Sequence, residues 1–178
     1  MQLIHKLGIL LAILLASVTG NAQSNAQKIF DMYSGKQGFV SLGFAKSIIQ
    51  PFEILLDDDS KRVLLKMDKV NLLFYNEDKG FFSSDEIYDR IGNEFNENDY
   101  FDIDPNEFTC NSFNIESDSD YEQIRIIGCG QPNKMNEFHI LLCESDNAML
   151  FSFFGDITVE DLKTFCTFSH STKNTFKL

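Results

Sequence analysis

The sequence predicts an α+β domain: an antiparallel sheet of five to six strands with helices packed mainly on one face, behind a cleaved signal peptide. Three observations carry this reading. The apolar runs Glu122–Cys129, Glu137–Cys143 and Ala148–Phe154 follow one another with only Gln131-Pro132-Asn133-Lys134 and Ser145-Asp146-Asn147 as breaks. Short strands joined by such turns pair antiparallel. Helix starts at Ser83 and Thr158 each carry a capping box and a hydrophobic staple, Ser83 with Glu86 and Thr158 with Asp161. Finally, the 178 residues contain no internal repeat and no linker, so residues 23–178 read as one domain.

Taken in order, residues 1–22 have the parts of a secretory signal peptide: Lys6 as the early cation, the run Leu7–Ala16, then small residues before the junction. The run is shorter than the roughly 20 apolar residues a bilayer span needs. Gly20 and Ala22 suit a signal peptidase, which places cleavage between Ala22 and Gln23. Ser24 to Gly35 reads as a helix, because Ser24 and Gln27 have capping-box spacing, Ile29, Phe30 and Tyr33 share a face, and Gly35 can close the end. Phe39 to Phe44 has strand character, and a short helix over Ala45 to Gln50 must stop or bend at Pro51. Asp57-Asp58-Asp59-Ser60 is read as a solvated turn. In the strand Lys69 to Asn76, Val70, Leu72 and Phe74 face one way and Leu73 and Tyr75 the other, so both sides are partly covered.

The clearest helix follows Ser83, with Phe82 and Ile87 as the staple and Ile87, Tyr88, Ile91 and Phe95 as the core stripe. Between Ile91 and Ile124 there are ten Asp or Glu and no Lys or Arg, although Glu107 to Phe113 keeps strand character. The last helix starts at Thr158 and buries Val159, Leu162, Phe165 and Cys166, while Ser169 to Leu178 is a tail.

Composition excludes several functions. The net charge is −12, and removing residues 1–22 takes away Lys6 and no acid, so the mature chain stands at −13. Nucleic-acid binding relies on Lys and Arg releasing counterions from phosphates, and an anionic lipid surface makes the same demand, so neither partner is expected. With 43% apolar and 13% aromatic residues the chain has ample material for a core.

Three segments carry a resemblance: Phe30-Asp31-Met32-Tyr33-Ser34-Gly35 running into a strand, Lys66-Met67-Asp68-Lys69-Val70-Asn71-Leu72-Leu73, and Phe151-Ser152-Phe153-Phe154-Gly155-Asp156-Ile157 leading to the final helix. Over about Phe30 to Phe165 the chain resembles the exported Bacteroidetes family catalogued as domain of unknown function 4252. The resemblance implies an exported α+β domain, encoded near envelope-signalling sigma factors. It implies no activity and carries over no functional residue. The acidic segment after Phe95 and the four cysteines are not features of that family.

Few constellations have the residue types and spacing that chemistry needs. Asp102, Asp104 and Asn106 alternate as in an EF-hand loop, but Glu107 stands where the turn needs glycine and Phe113 where a bidentate glutamate is needed. What is left is a weak oxygen-ligand set for calcium, against the alternative of a solvated loop. His139 and Cys143 are four apart on one strand, roughly 13 Å at about 3.3 Å per residue, too far for a nucleophile and its base. Cys166 and His170 have helical spacing but no further ligands for zinc. No phosphate loop, dinucleotide fingerprint or nucleophile elbow is present. No catalytic residue or cofactor-binding residue is assigned.

In an oxidising compartment the four cysteines allow three pairings. Taking Gln131 to Asn136 as the hairpin loop sets Cys129 opposite Phe138, about 16 Å along the strand from Cys143's level, which excludes that bridge. Cys166 with Cys110 or Cys143 is the least excluded pairing, and Cys143 with Cys166 is the candidate disulfide; unpaired buried thiols are the alternative. The functional expectation is a non-catalytic binding or interaction module of the cell envelope, periplasmic or extracellular, whose partner is an envelope protein or an apolar ligand. The alternatives are a carboxylate-dependent hydrolase and a subunit of a surface assembly.

Overall fold

The computed structural model describes residues 24–96, 99–104 and 123–164. The elements are α1 (Asn25–Tyr33), β1 (Phe39–Ala45), α2 (Lys46–Ile49) running into a 3-10 turn (Gln50–Leu55), and α3 (Asp58–Lys66). They continue with β2 (Met67–Asn76), α4 (Ser84–Glu94), β3 (Tyr100–Ile103), β4 (Gln123–Gln131), β5 (Lys134–Glu144) and β6 (Asn147–Ile157). Residues 159–164 are helical. The six strands form one sheet in the order β1-β2-β6-β5-β4-β3. Every neighbouring pair is antiparallel. The fold is therefore α+β, as the apolar runs and tight turns require.

The two faces of β2 are covered as its alternation predicts. One face presents Leu73 and Tyr75 of β2, Ala148 and Leu150 of β6, Leu141 of β5 and Ile127 of β4. Helices α1 and α4 close it with Ala26, Ile29, Ile87, Ile91 and Phe95. The other face carries Val70, Phe151, Phe153, Phe138, Ile140, Leu142, Ile126 and Ile103. Val63 of α3 and Leu162 from residues 159–164 cover one end of that face. Phe138 and Phe153 lie there as stacked rings 4.4 Å apart. Among the described residues no helix is long and apolar enough to cross a membrane.

The capping signals act where the sequence puts them. Ser24 accepts from the Gln27 amide at 3.2 Å and Ser83 from the Glu86 amide at 3.2 Å. Thr158 and Asp161 exchange both bonds of their box, at 2.9 and 3.1 Å. Pro51 falls where α2 gives way to the 3-10 turn.

Three local readings change. Asp57-Asp58-Asp59-Ser60 is no turn: Asp57 caps α3, its carboxylate accepting from the Ser60 amide at 2.9 Å, and Asp58 and Asp59 sit in the first turn. Acids there meet the positive end of the helix dipole, and the Ser60 amide holds the Asp57 carboxyl below its usual range. The acidic stretch contributes the short edge strand β3, whose four residues are too few for a period to show. The β4–β5 hairpin turns at Pro132-Asn133, with a bulge between Cys129 and Gly130. That single-residue shift sets Cys129 opposite Glu137 and Gly128 opposite Phe138. Cys143 still lies far from Cys129, opposite Gln123. The strand expected over Glu107 to Phe113 and the tail from Ser169 lie outside the described residues.

Candidate functional site

An aromatic pocket forms where α1 ends, β1 begins and the chain enters α4. The apolar stripe of α1 delivers Met32 and Tyr33 to one wall. Phe39 opens β1 and stacks on Tyr33 at 4.7 Å, with Tyr75 4.6 Å beyond. Phe82 and Ile87, the staple of α4, and Phe81 make the opposite wall. The cavity holds about 250 Å³. Its rim is unusual for apolar residues, since Phe81 is 77% exposed, Met32 50% and Phe82 38%.

Tyr75 holds the second wall in place. Its hydroxyl donates to the Phe82 carbonyl at 2.6 Å and accepts from the Phe82 amide at 3.0 Å. A β-carbon at Gly80 would overlap that hydroxyl, so only glycine lets the segment pass over the ring. Two cations border the cavity. Lys36 lines it, and the Arg90 guanidinium lies 4.1 Å from the Phe82 ring centroid while pairing with Glu86 at 2.6 Å. Burial raises the Tyr33 hydroxyl above its usual range in spite of Arg90 nearby, so it stays neutral.

A second, wider cleft of about 590 Å³ lies at the other end of β6, lined by Asp68, Lys134, Met135, Phe154 and Asp156 among others. Asp68 is tied to Lys46 at 3.0 Å. The cleft lining includes two carboxylates but no histidine, cysteine or serine.

Sequence reading missed a polar row on the face under α1 and α4, buried at Asn71, Glu137, His139 and Ser152 and half-buried at Tyr100 and Cys129. The register brings Cys129 opposite Glu137 and Tyr100 opposite Cys129, while His139, Ser152 and Asn71 lie side by side across β5, β6 and β2. The Tyr100 hydroxyl donates to Glu137 at 2.7 Å. His139 is fully buried, stacked on Phe95 at 4.7 Å, and its Nε2 stands 4.0 Å from a Glu137 oxygen. The alternation of Glu137 and His139 along β5 was the available signal; adjacent apolar residues concealed it.

A thiol, an imidazole and a carboxylate so close together suggest nucleophilic chemistry, but their electrostatics oppose it. Burial, followed by the Glu137 charge, pushes the Cys129 thiol up to about 11. Burial pushes the His139 imidazole down to about 3. A base that resists protons and a thiol that retains its own cannot share one. Burial and the Glu137 bond likewise raise the Tyr100 hydroxyl.

The residues singled out from sequence fall as follows. Asp102 is exposed on β3 and gripped by Arg125, whose Nε donates at 2.6 Å and Nη2 at 3.3 Å. Asp104 ends the same edge and Asn106 lies outside the described residues. Among the described residues no three of His, Cys, Asp and Glu converge as metal ligands. Cys143 is buried on the α4 face, 3.5 Å from Asp85. Val159 and Leu162 pack on the opposite face. Cys166, Cys110, Ala22 and Gln23 lie outside the described residues. Comparison with protein-family models, with curated proteins and with solved structures gives no match.

Proposed function

We propose that the chain is an exported, non-catalytic binding module of the cell envelope, and that its aromatic pocket takes a small apolar ligand carrying one acidic group. One observation carries the reading: an aromatic cavity whose rim leaves Phe81 77% exposed. Exposed apolar area of this kind is unfavourable in water and gains when a ligand covers it. The acidic group follows from Lys36, which lines the cavity on an otherwise acidic chain. The half-buried, protonated Cys129 thiol and the buried, neutral His139 imidazole favour binding over catalysis. Export draws on the leader-like residues 1–22 and on the resemblance to the domain of unknown function 4252 family.

The test is fluorescence titration with 1-anilinonaphthalene-8-sulfonate, an aromatic probe bearing one sulfonate, followed by displacement with oleate. Saturable binding at about 1–50 µM is expected, weakened at least about tenfold by Phe81→Ser and by Lys36→Glu. No saturable binding below about 1 mM, or binding indifferent to both substitutions, would overturn the pocket. Export is checked by the mass of the protein from fractionated cells: an N-terminus at Gln23 outside the cytoplasm is expected, and Met1 on cytoplasmic material would refute it.

A further inference from the structure

The two edges of the sheet differ. Edge strand β3 is four residues long, contains Asp102, and is flanked by Asp99 and Asp104. Short length and charge are the usual guards against strand addition. Edge strand β1 has neither. Its seven residues, Phe39-Val40-Ser41-Leu42-Gly43-Phe44-Ala45, carry no charge and no proline, and they pair with β2 without a bulge. Among the described residues no strand lies on its outer side. Val40, Leu42 and Phe44 point to one face and are 56%, 45% and 36% exposed.

We propose that β1 pairs antiparallel with β1 of a second copy of this chain, about a two-fold axis at Leu42, joining two six-stranded sheets into one. The backbone supplies the register. The Asn76 amide donates to the Gly38 carbonyl at 3.0 Å, which makes Gly38 and Asn76 a hydrogen-bonded pair. Alternation along the ladder then turns the backbone groups of Val40, Leu42 and Phe44 toward β2, and those of Ser41, Gly43 and Ala45 outward. Setting Leu42 opposite Leu42 brings Ser41 opposite Gly43 and Phe39 opposite Ala45, so outward groups meet outward groups over the whole strand. On the apolar face Val40 then meets Phe44. A one-residue slip would set outward groups against inward ones.

Charge selects a second copy as the occupant. Residues 24–76 hold seven Lys or Arg and six Asp or Glu, whereas residues 77–178 hold seven and twenty-one. The nearly neutral half that contains β1 is thus the part of this acidic molecule that another copy can approach, and the β3 edge repels it. A pairing of one strand per copy is at the small end of specific interfaces, so a dissociation constant of about 10 µM is expected. This inference stands apart from the ligand pocket.

Sedimentation equilibrium of the purified protein from about 1 to 500 µM tests it, with mass rising from one chain to two. Leu42→Lys faces itself across the axis and is expected to raise the dissociation constant more than about tenfold with unchanged circular dichroism. Leu42→Cys is expected to form a disulfide-linked dimer on mild oxidation, because directly opposed non-hydrogen-bonded residues have Cα atoms about 4.5 Å apart. Val40→Cys is not, since its counterpart lies about 13 Å away along the strand. A monomer at the highest concentration, or Val40→Cys cross-linking as fast as Leu42→Cys, would overturn the dimer. A monomer that still binds the sulfonate probe would overturn the dimer alone and leave the pocket standing.

Discussion

A β-carbon at position 80 would overlap the Tyr75 hydroxyl, and that hydroxyl cannot retreat because both of its hydrogen bonds go to Phe82. The same β-carbon would also overlap two ring carbons of Tyr75, so Gly80→Ala is expected to cost about 2–4 kcal/mol in urea denaturation and much less when introduced into a Tyr75→Ala background; an equal cost in both backgrounds would refute the contact. His139 gives a pH signature. Its folded pKa, about 3, lies below the unfolded value near 6.5, so protons bind preferentially to the unfolded chain. The contribution is complete above pH 6.5 and is lost as pH falls from there toward 3. Replacing His139 by Phe, among the rings of Phe95, Tyr100 and Phe154, removes this dependence. Between pH 7 and pH 5 the unmodified protein should lose about 2 kcal/mol more than His139→Phe in parallel urea titrations.

Elements are held to one another by a few polar side chains placed at their ends. Arg125 of β4 donates to the Gly92 carbonyl at 2.8 Å, to Asn96 at 3.1 Å and to Asp102, so one guanidinium joins the last turn of α4 to β3. Carbonyls at a helix C-terminus lack partners within the helix, and a cation there also meets the negative end of the dipole. Arg125→Ala should cost about 2 kcal/mol and speed amide exchange in the last turn of α4 more than in α1. Arg125→Lys should recover little, because an ammonium cannot span those acceptors.

Asp161 plays the matching part for residues 159–164. Burial would raise its carboxyl, but Lys66 at 2.7 Å and the Thr158 hydroxyl and amide outweigh that and hold it below the usual range. Its contribution is present above pH 4 and lost as pH falls through the lowered folded value. Asp161→Asn should destabilise by about 1–3 kcal/mol at pH 7, with the deficit shrinking below pH 4.

For the molecule as a whole the governing quantity is charge. Twenty-seven acids against fifteen Lys and Arg, with the excess in residues 77–178, make the folded state repel itself. Salt screens this, and the Debye length falls from about 30 Å at 0.01 M to about 10 Å at 0.1 M. Raising sodium chloride across that range should lift the melting temperature by about 2–4 °C, equivalent to roughly 1 kcal/mol, and a flat or falling response would contradict the reading.

Residue types and their spacing determined the fold class, the capping boxes at Ser24, Ser83 and Thr158, and the split faces of β2, because these rest on interactions within a few residues of chain. The same reading took Asp57–Ser60 for a turn, since an acidic helix start and an acidic loop share a composition and only the packing of Val63 separates them. The pocket was half legible: Phe82 and Ile87 were visible as a staple with Phe81 beside them in the chain, but Met32 and Phe39 join them only when α1 and β1 fold back beside α4. The polar row of Tyr100, Cys129, Glu137 and His139 depends on strand register, which a single bulge at Gly130 resets. Which strand lies at an edge depends on the sheet order, a product of long-range pairing that no local pattern encodes.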